Sequence, residues 1–166
     1  MPLKCFDRLI AACAKAFVPN LRLAILGGGD ASGLQAIAAS HGLADRVQFA
    51  FVDDVAPWLH GADAYVSASS TESFGLANLE ALCAGLPAIC SPVGGVPEVV
   101  GDGAWLVPNE TQDLSRAIAA LAADAALRQD WARRAAARAA SWPTAQDITQ
   151  SYVDIYQAAL RETARA

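Results

Sequence analysis

Residues 64–90 read AYVSASSTESFGLANLEALCAGLPAIC. The apolar run at 64–68 has the length of a strand, the small polar residues after it form a loop, and the Leu-Ala-Cys run from about Leu76 reads as a helix. Gly85 suits the residue just past that helix, and Pro87 opens a second strand at 88–90, a position where proline is tolerated. Strand, helix and strand over such short connections require a parallel crossover. Glu72 and Glu80 bracket the passage from loop to helix, with seven residues between them. On a helical wheel of ~100° per residue, Leu76, Leu79 and Cys83 share one side and the alanines lie opposite, with Asn78 and Glu80 in the two gaps. Both flanks suit packing, so Glu80 is expected to be buried, where a charge is costly unless something bonds to it.

The alternation continues on both sides. Residues 21–26 form a short apolar run ending at Gly27-Gly28-Gly29, and a helix follows with Leu34, Ile37, Ala38 and His41 on one face and Gly42 as its stop. Residues 47–52 read as a strand and 57–61 as a short helix. Pro97 starts another short helix through Val100, 104–107 is a last strand, and alanine-rich helices follow at 111–122, 124–140 and 144–163. Strands alternating with helices predict an α/β fold, a single Rossmann-like domain whose parallel sheet carries helices on both faces. Ahead of residue 21 there is one helical pattern, 6–17, with Leu9, Ile10, Cys13 and Phe17 on one face. The strand that usually opens such a domain is missing or reduced to Met1-Pro2-Leu3.

Composition narrows the function. A chain of 166 residues fits one domain. It is 54% hydrophobic, yet no run reaches the ~18 apolar residues of a membrane span, and no signal peptide is visible. The net charge of −5 argues against a nucleic-acid partner. Cys5, Cys13, Cys83 and Cys90 lie in apolar surroundings without a Cys-x-x-Cys, which predicts reduced core thiols in a cytoplasmic chain. For a longer protein containing this chain, a peripheral position at the inner face of the membrane is the alternative. Arg133, Arg134 and Arg138 alternate with alanine as on the solvated side of a helix.

In open parallel sheets, ligands sit beyond the carboxyl ends of the strands. The loop at 67–75 follows a strand and leads into a helix whose first free N–H groups come from about Gly75, Leu76 and Ala77, a place that favours a phosphate. A plain capping loop with Ser73 as N-cap is the alternative. An ionised Glu80, an acceptor with two oxygens, suits the adjacent hydroxyls of a ribose. A buried Glu paired with an Arg or capping backbone would look the same. Glu72 could accept from hydroxyls or simply be exposed. His41 and His60 read as structural, and Asp53-Asp54 is followed by valine rather than a third ligand, so no metal site is expected.

These stretches, in this order, resemble the retaining GT-B glycosyltransferases with the E-x7-E motif. Glu72 to Glu80 with Phe74-Gly75 carries the motif. Leu26-Gly27-Gly28-Gly29 resembles the first glycine loop of that family and Val93-Gly94-Gly95-Val96-Pro97-Glu98 its second, while Ser141-Trp142 resembles the entry to its final helix. The resemblance implies the C-terminal, nucleotide-sugar-binding half of a GT-B fold over residues 1–166, with the N-terminal acceptor domain absent. It implies that Glu80 holds the nucleotide ribose, that Glu72, Ser73 and Phe74 contact the donor sugar, and that the diphosphate lies over Gly75 and Leu76. Gly28, Val52 and Asp53, together with neighbouring Phe51, fall in the loops that would take the nucleotide. Lys4 stands where the family neutralises the diphosphate, followed by Cys5 rather than the usual glycine; the partner Arg would precede the chain.

The resemblance implies no metal and no cofactor beyond the nucleoside-diphosphate sugar. It also implies no transfer by this half alone, since transfer requires both substrates held in line with water excluded. Two other readings stand beside it. Gly27 to Gly33 could be a dinucleotide fingerprint binding NAD, although the ribose-binding acid expected ~20 residues on falls on Ala50 or, loosely, Asp53. The chain could also be a non-catalytic nucleotide-sugar-binding module. Ile148, Tyr152, Ile155, Tyr156 and Leu160 form an apolar stripe on the last helix, expected to fold back, to meet the missing domain, or to pair in a homodimer.

Overall fold

A computed structural model of the chain describes residues 3–163. Its elements follow in the order α1 (Phe6–Lys15), β1 (Leu23–Leu26), α2 (Ser32–Ser40), β2 (Val47–Ala50), α3 (Ala56–His60), β3 (Tyr65–Ser67), α4 (Leu76–Cys83), β4 (Ala88–Cys90), α5 (Val96–Val100), β5 (Trp105–Leu106), α6 (Thr111–Ala123), α7 (Ala125–Ala140) and α8 (Ala145–Thr163). Every strand pairing is parallel. The strands form two ladders, β1–β2 and β3–β4–β5, where one continuous sheet was expected. β3 is an edge strand of its ladder. The Leu3 carbonyl accepts from both the N–H and the Oγ of Ser70, just past β3, so the start of the chain meets that edge without forming a strand there. Met1 and Pro2, the rest of the proposed strand remnant, lie outside the described residues.

The two faces are packed separately. Ile25, Val47 and Ile89 face a core built with Leu9, Ile10 and Cys13 of α1, Ala38 of α2 and Leu114, Ala117, Ile118 and Leu121 of α6. Ala88 and Cys90 face a second core with Leu82 of α4, Val96, Val99 and Val100 of α5 and Ala135 of α7. β4 therefore divides its three side chains between two cores, as the twofold period of a strand requires. The first core holds Ile25 from one ladder and Ile89 from the other, so apolar packing joins what strand pairing does not.

α1 stops at Lys15, because Phe17 adopts the left-handed conformation (φ 50°) and lies exposed. Cys83 is exposed on α4, while Cys5, Cys13 and Cys90 are buried. Arg133 and Arg134 pair with Asp130 on a solvated face as expected, but Arg138 turns inward. Its Nη2 and Nε donate to the carbonyls of Glu98 and Val99 at 2.5 and 3.0 Å, capping carbonyls that the end of α5 leaves without helical partners. α8 does not fold back: no residue in it is buried. No helix among the described residues is long and apolar enough to cross a membrane.

Candidate functional site

The loop between β3 and α4 is held from three sides. Beneath it, Ser69 is buried and its carbonyl accepts from Asn109 Nδ2 at 3.1 Å. On one flank, Ser70 is bonded to Leu3. On the other, Gly95 N–H donates to the Glu72 carbonyl at 3.3 Å. A Cβ on Gly94 would lie 1.7 Å from the Glu72 carbonyl oxygen, and one on Gly95 would lie 2.3 Å from that of Ser73. The second glycine loop therefore acts sterically, letting two backbones touch at Glu72-Ser73.

Gly75, at φ 87°, is the N-cap of α4, which replaces the expectation of Ser73 in that position; no side chain caps this helix. Gly75 is buried, whereas Leu76 and Ala77, the first two helical residues, are exposed. Their N–H groups precede the first intrahelical bonds and point out of the helix end, where its dipole favours negative charge. The Glu72 side chain reaches back to Lys4, its Oε2 lying 2.5 Å from Nζ. Glu72 is mostly covered and Lys4 half exposed. Lys4 is presented by a tight corner, since Cys5 at the N-cap of α1 has φ 46°. That is the geometry a glycine would adopt without strain.

Glu80 corrects the burial argument. The face of α4 turned to the core carries Asn78, Ala81 and Leu82, and Glu80 points outward with Leu76 and Cys83. The charge is solvated, with no hydrogen-bond partner among the described residues, and is open to a ligand. Phe74 packs edge-on against Trp142, the ring centroids 5.5 Å apart, so its ring also braces the loop against the end of α7.

Gly28, Val52 and Asp53 lie elsewhere along the same carboxyl-end rim. Gly27, Gly28 and Gly29, with Ala31, Gln35, Phe49, Ala50 and Phe51, line an open cavity of about 490 Å³ beyond β1 and β2. The exposed Phe51 ring lies over Gly28, where a Cβ would be 3.4 Å from it. Asp53 is exposed and Val52 half-buried. Asp30 begins α2 by accepting from the Ser32 N–H at 2.8 Å, and this bond, with that from the Ser32 hydroxyl, holds its carboxyl below the ordinary range. The structure thus groups Lys4, Glu72, Gly75 and Leu76 around one loop and Gly28 with Phe51 around another.

The sequence reading overlooked two residues. Tyr65 O–H donates to Asn78 Oδ1 at 3.0 Å beneath the Glu72 loop. Burial, with the charges of Glu72 and Glu80 contributing least, pushes the Tyr65 phenol above its ordinary range. The wheel leaves Asn78 in one gap and Glu80 in the other, and only the packing of α4 turns Asn78 to the core.

Residues 2–138 match the family described as Glycosyl transferases group 1. The chain belongs to that family. D-inositol 3-phosphate glycosyltransferases of Streptomyces avermitilis and Streptomyces griseus are 35% and 36% identical over 96% and 99% of this group 1 chain. The chain spans 38% of the length of each. Among solved structures, sucrose-phosphate synthase of Thermosynechococcus elongatus superposes with a TM-score of 0.86 at 26% identity, covering 98% of this chain and 44% of that one. HepE of Anabaena, solved in complex with UDP, gives 0.87 at 25% identity, covering 95% and 46%. The group 1 domain has the α/β fold of a GT-B half; the family match, not the parallel crossovers that dinucleotide-binding domains share, sets it apart from a dehydrogenase.

Proposed function

We propose that this group 1 domain is the donor-binding half of a retaining glycosyltransferase that moves a hexose from a nucleoside-diphosphate sugar to an acceptor. The observation that carries the reading is the Glu72 loop. A carboxylate paired with Lys4, the open N-terminus of α4 and two glycines in backbone contact meet beyond β3 and β4. Such a site offers donors for a diphosphate and an acceptor for sugar hydroxyls side by side.

In this reading Leu76 N–H and the Gly75 turn meet the diphosphate, and Lys4 neutralises it. Glu72 accepts from the sugar with Ser73 and Phe74 beside it, the exposed Glu80 takes the ribose diol, and Gly28, Val52 and Asp53 border the base. Uridine is the base proposed, because UDP and UDP-glucose complexes exist for HepE. The reading assigns no metal or further cofactor, and it assigns the acceptor to an N-terminal domain outside this chain. These groups bind and orient the donor; none is placed as nucleophile or general base.

Calorimetry with UDP, UDP-glucose, GDP-mannose and NAD tests the reading. Binding of the uridine ligands is expected, and Glu80→Ala should weaken UDP roughly tenfold or more, the value of charge-assisted hydrogen bonds to a diol. A response to NAD alone would falsify it. Sugar transfer is expected only when a separately expressed N-terminal half is added; binding without any rescue of transfer would favour a non-catalytic module.

A further inference from the structure

Two buried side-chain atoms among the described residues have no hydrogen-bond partner, Asn109 Oδ1 behind the loop and Asn78 Nδ2 inside the site. Asn78 is 1% exposed. Its Oδ1 accepts from Tyr65, which turns the amide nitrogen the other way, toward the Gly75 turn. A Cβ on Gly75 would lie 2.6 Å from Asn78 Nδ2 and 3.2 Å from Glu72 Cγ. The Asn78 amide and the Glu72 side chain therefore face each other across a space that exists because residue 75 has no side chain. The orientation is chemically consistent: the amide nitrogen, rather than the amide oxygen, lies on the side of the Glu72 side chain.

We propose that Asn78 is a positioning residue for Glu72, its Nδ2–H taking hold of the carboxylate across Gly75 when Lys4 turns to the diphosphate of the donor. The proposal rests on the donor-binding reading above. Lys4 meets Glu72 through a single contact of 2.5 Å and is half exposed, so a diphosphate that draws the ammonium toward itself weakens the hold on the carboxylate. A carboxylate that loses its cation keeps its orientation only if another donor is at hand. A neutral amide supplies one without cancelling the charge that must accept from sugar hydroxyls. Tyr65 fixes the amide so that its nitrogen faces the loop, and Gly75 leaves the path clear.

The test has a ligand-free arm and a binding arm. In the unliganded chain, the ¹⁵N side-chain amide resonance of Asn78 should move as the Glu72 carboxylate titrates. That movement should grow in Lys4→Met, where the carboxylate is released, and vanish in Glu72→Gln. A resonance indifferent to all three conditions overturns the proposal. In calorimetry, Asn78→Leu should leave UDP affinity within twofold while cutting the preference for UDP-glucose over UDP about tenfold. In a Glu72→Gln background, Asn78→Leu should cost nothing more. Equal losses for both ligands make Asn78 purely structural and overturn the proposal, as does an unchanged preference. Tyr65→Phe, which keeps the ring and removes the orienting O–H, should lower the same preference by a smaller factor and provides the check if Asn78→Leu does not fold. If the unaltered chain binds neither nucleotide, the donor reading and the donor-linked exchange fall together, while the resonance arm separately decides whether Asn78 engages Glu72.

Discussion

Phe17 stands one residue past the C-cap of α1 with φ 50° and its ring 87% exposed. Glycine is the usual occupant of that left-handed position, which costs an L-residue about 1–2 kcal/mol. Glycine loses roughly 0.4–1 kcal/mol through the unfolded chain, so Phe17→Gly should raise stability by about 0.5–1 kcal/mol, read from urea unfolding. Gly94 is the opposite case. Gly94→Ala would put a methyl into the Glu72 carbonyl at φ 53° and should cost at least about 2 kcal/mol. In that variant, loss of UDP binding should exceed the loss of fold, because the displaced backbone is that of the site. These two positions also show what the sequence could tell. Gly94-Gly95 was recognisable as a glycine loop, but its steric role depends on a backbone more than twenty residues away, which no local pattern contains. Glu80 misled for a related reason: the helix wheel leaves open which flank meets the core, and tertiary packing chose Asn78, Ala81 and Leu82. The exposed carboxylate became available to ligand, and the mostly covered one proved to be Glu72.

Helices were more legible than the sheet, since each carries its own stop signals. Gly85 at φ 72° follows the C-cap of α4, Pro97 lies in the first turn of α5, and Gly42 at φ 72° follows α2. The break between the two ladders was not legible, because pairing between ladders is decided by distant segments. Arg138 was missed for the same reason: its value lies in the end of another helix. Arg138→Ala uncaps Glu98 and leaves the Val99 carbonyl to Trp142 Nε1–H alone, and should cost about 1.5–3 kcal/mol, as for hydrogen bonds from a charged donor. Arg138→Lys should recover only part of this, since an ammonium cannot reproduce the two-nitrogen reach of the guanidinium. α8 begins with a reciprocal cap: Thr144 N–H and Oγ1 donate to Asp147 Oδ2, and Asp147 N–H donates to Thr144 Oγ1. The Thr144 hydroxyl first, then its N–H, holds the Asp147 carboxyl below the ordinary range. A depressed folded value means the cap is at full strength above the ordinary carboxylate range and is lost as pH falls through the depressed one. Carbonyl ¹³C shifts at the start of α8 should therefore move toward coil in strong acid, and Asp147→Asn should flatten that dependence. The apolar stripe farther along, Ile148, Tyr152, Ile155, Tyr156 and Leu160, is 46–70% exposed. We propose that it pairs with a second copy when the domain is alone. Light scattering should show mass rising with concentration, abolished by Ile155→Lys; a monomer throughout would reject the pairing.

The molecule has two cores joined along one buried strand, and the thiols report on both. Cys13 lies in the core under α1 and α6, Cys90 in the core under α4, α5 and α7, and burial pushes each thiol up to about 12. Cys83 is exposed on α4. Since the thiolate is the reacting form, Cys83 should be modified on mixing with a disulfide reagent, whereas Cys13 and Cys90 should wait for an opening that exposes them. The sheet is interrupted, so two independent openings are conceivable, one for each ladder. Packing argues for one. Ile25 of the first ladder and Ile89 of the second share a core, and Ile89 sits between Ala88 and Cys90 of the other. Opening either side strips β4 of cover on one face, and a strand buried on both faces has no stable half-covered state to stop in. Cys13 and Cys90 should therefore label through one transition with the same free energy, equal to that from global unfolding by denaturant. Ile89→Ala, which removes a fully buried side chain from the junction, should lower both by the same about 2–4 kcal/mol. Faster labelling of Cys13 with Cys90 still protected would mean that the break between the two ladders divides the domain into two folding units, and that the shared core is too weak to bind them.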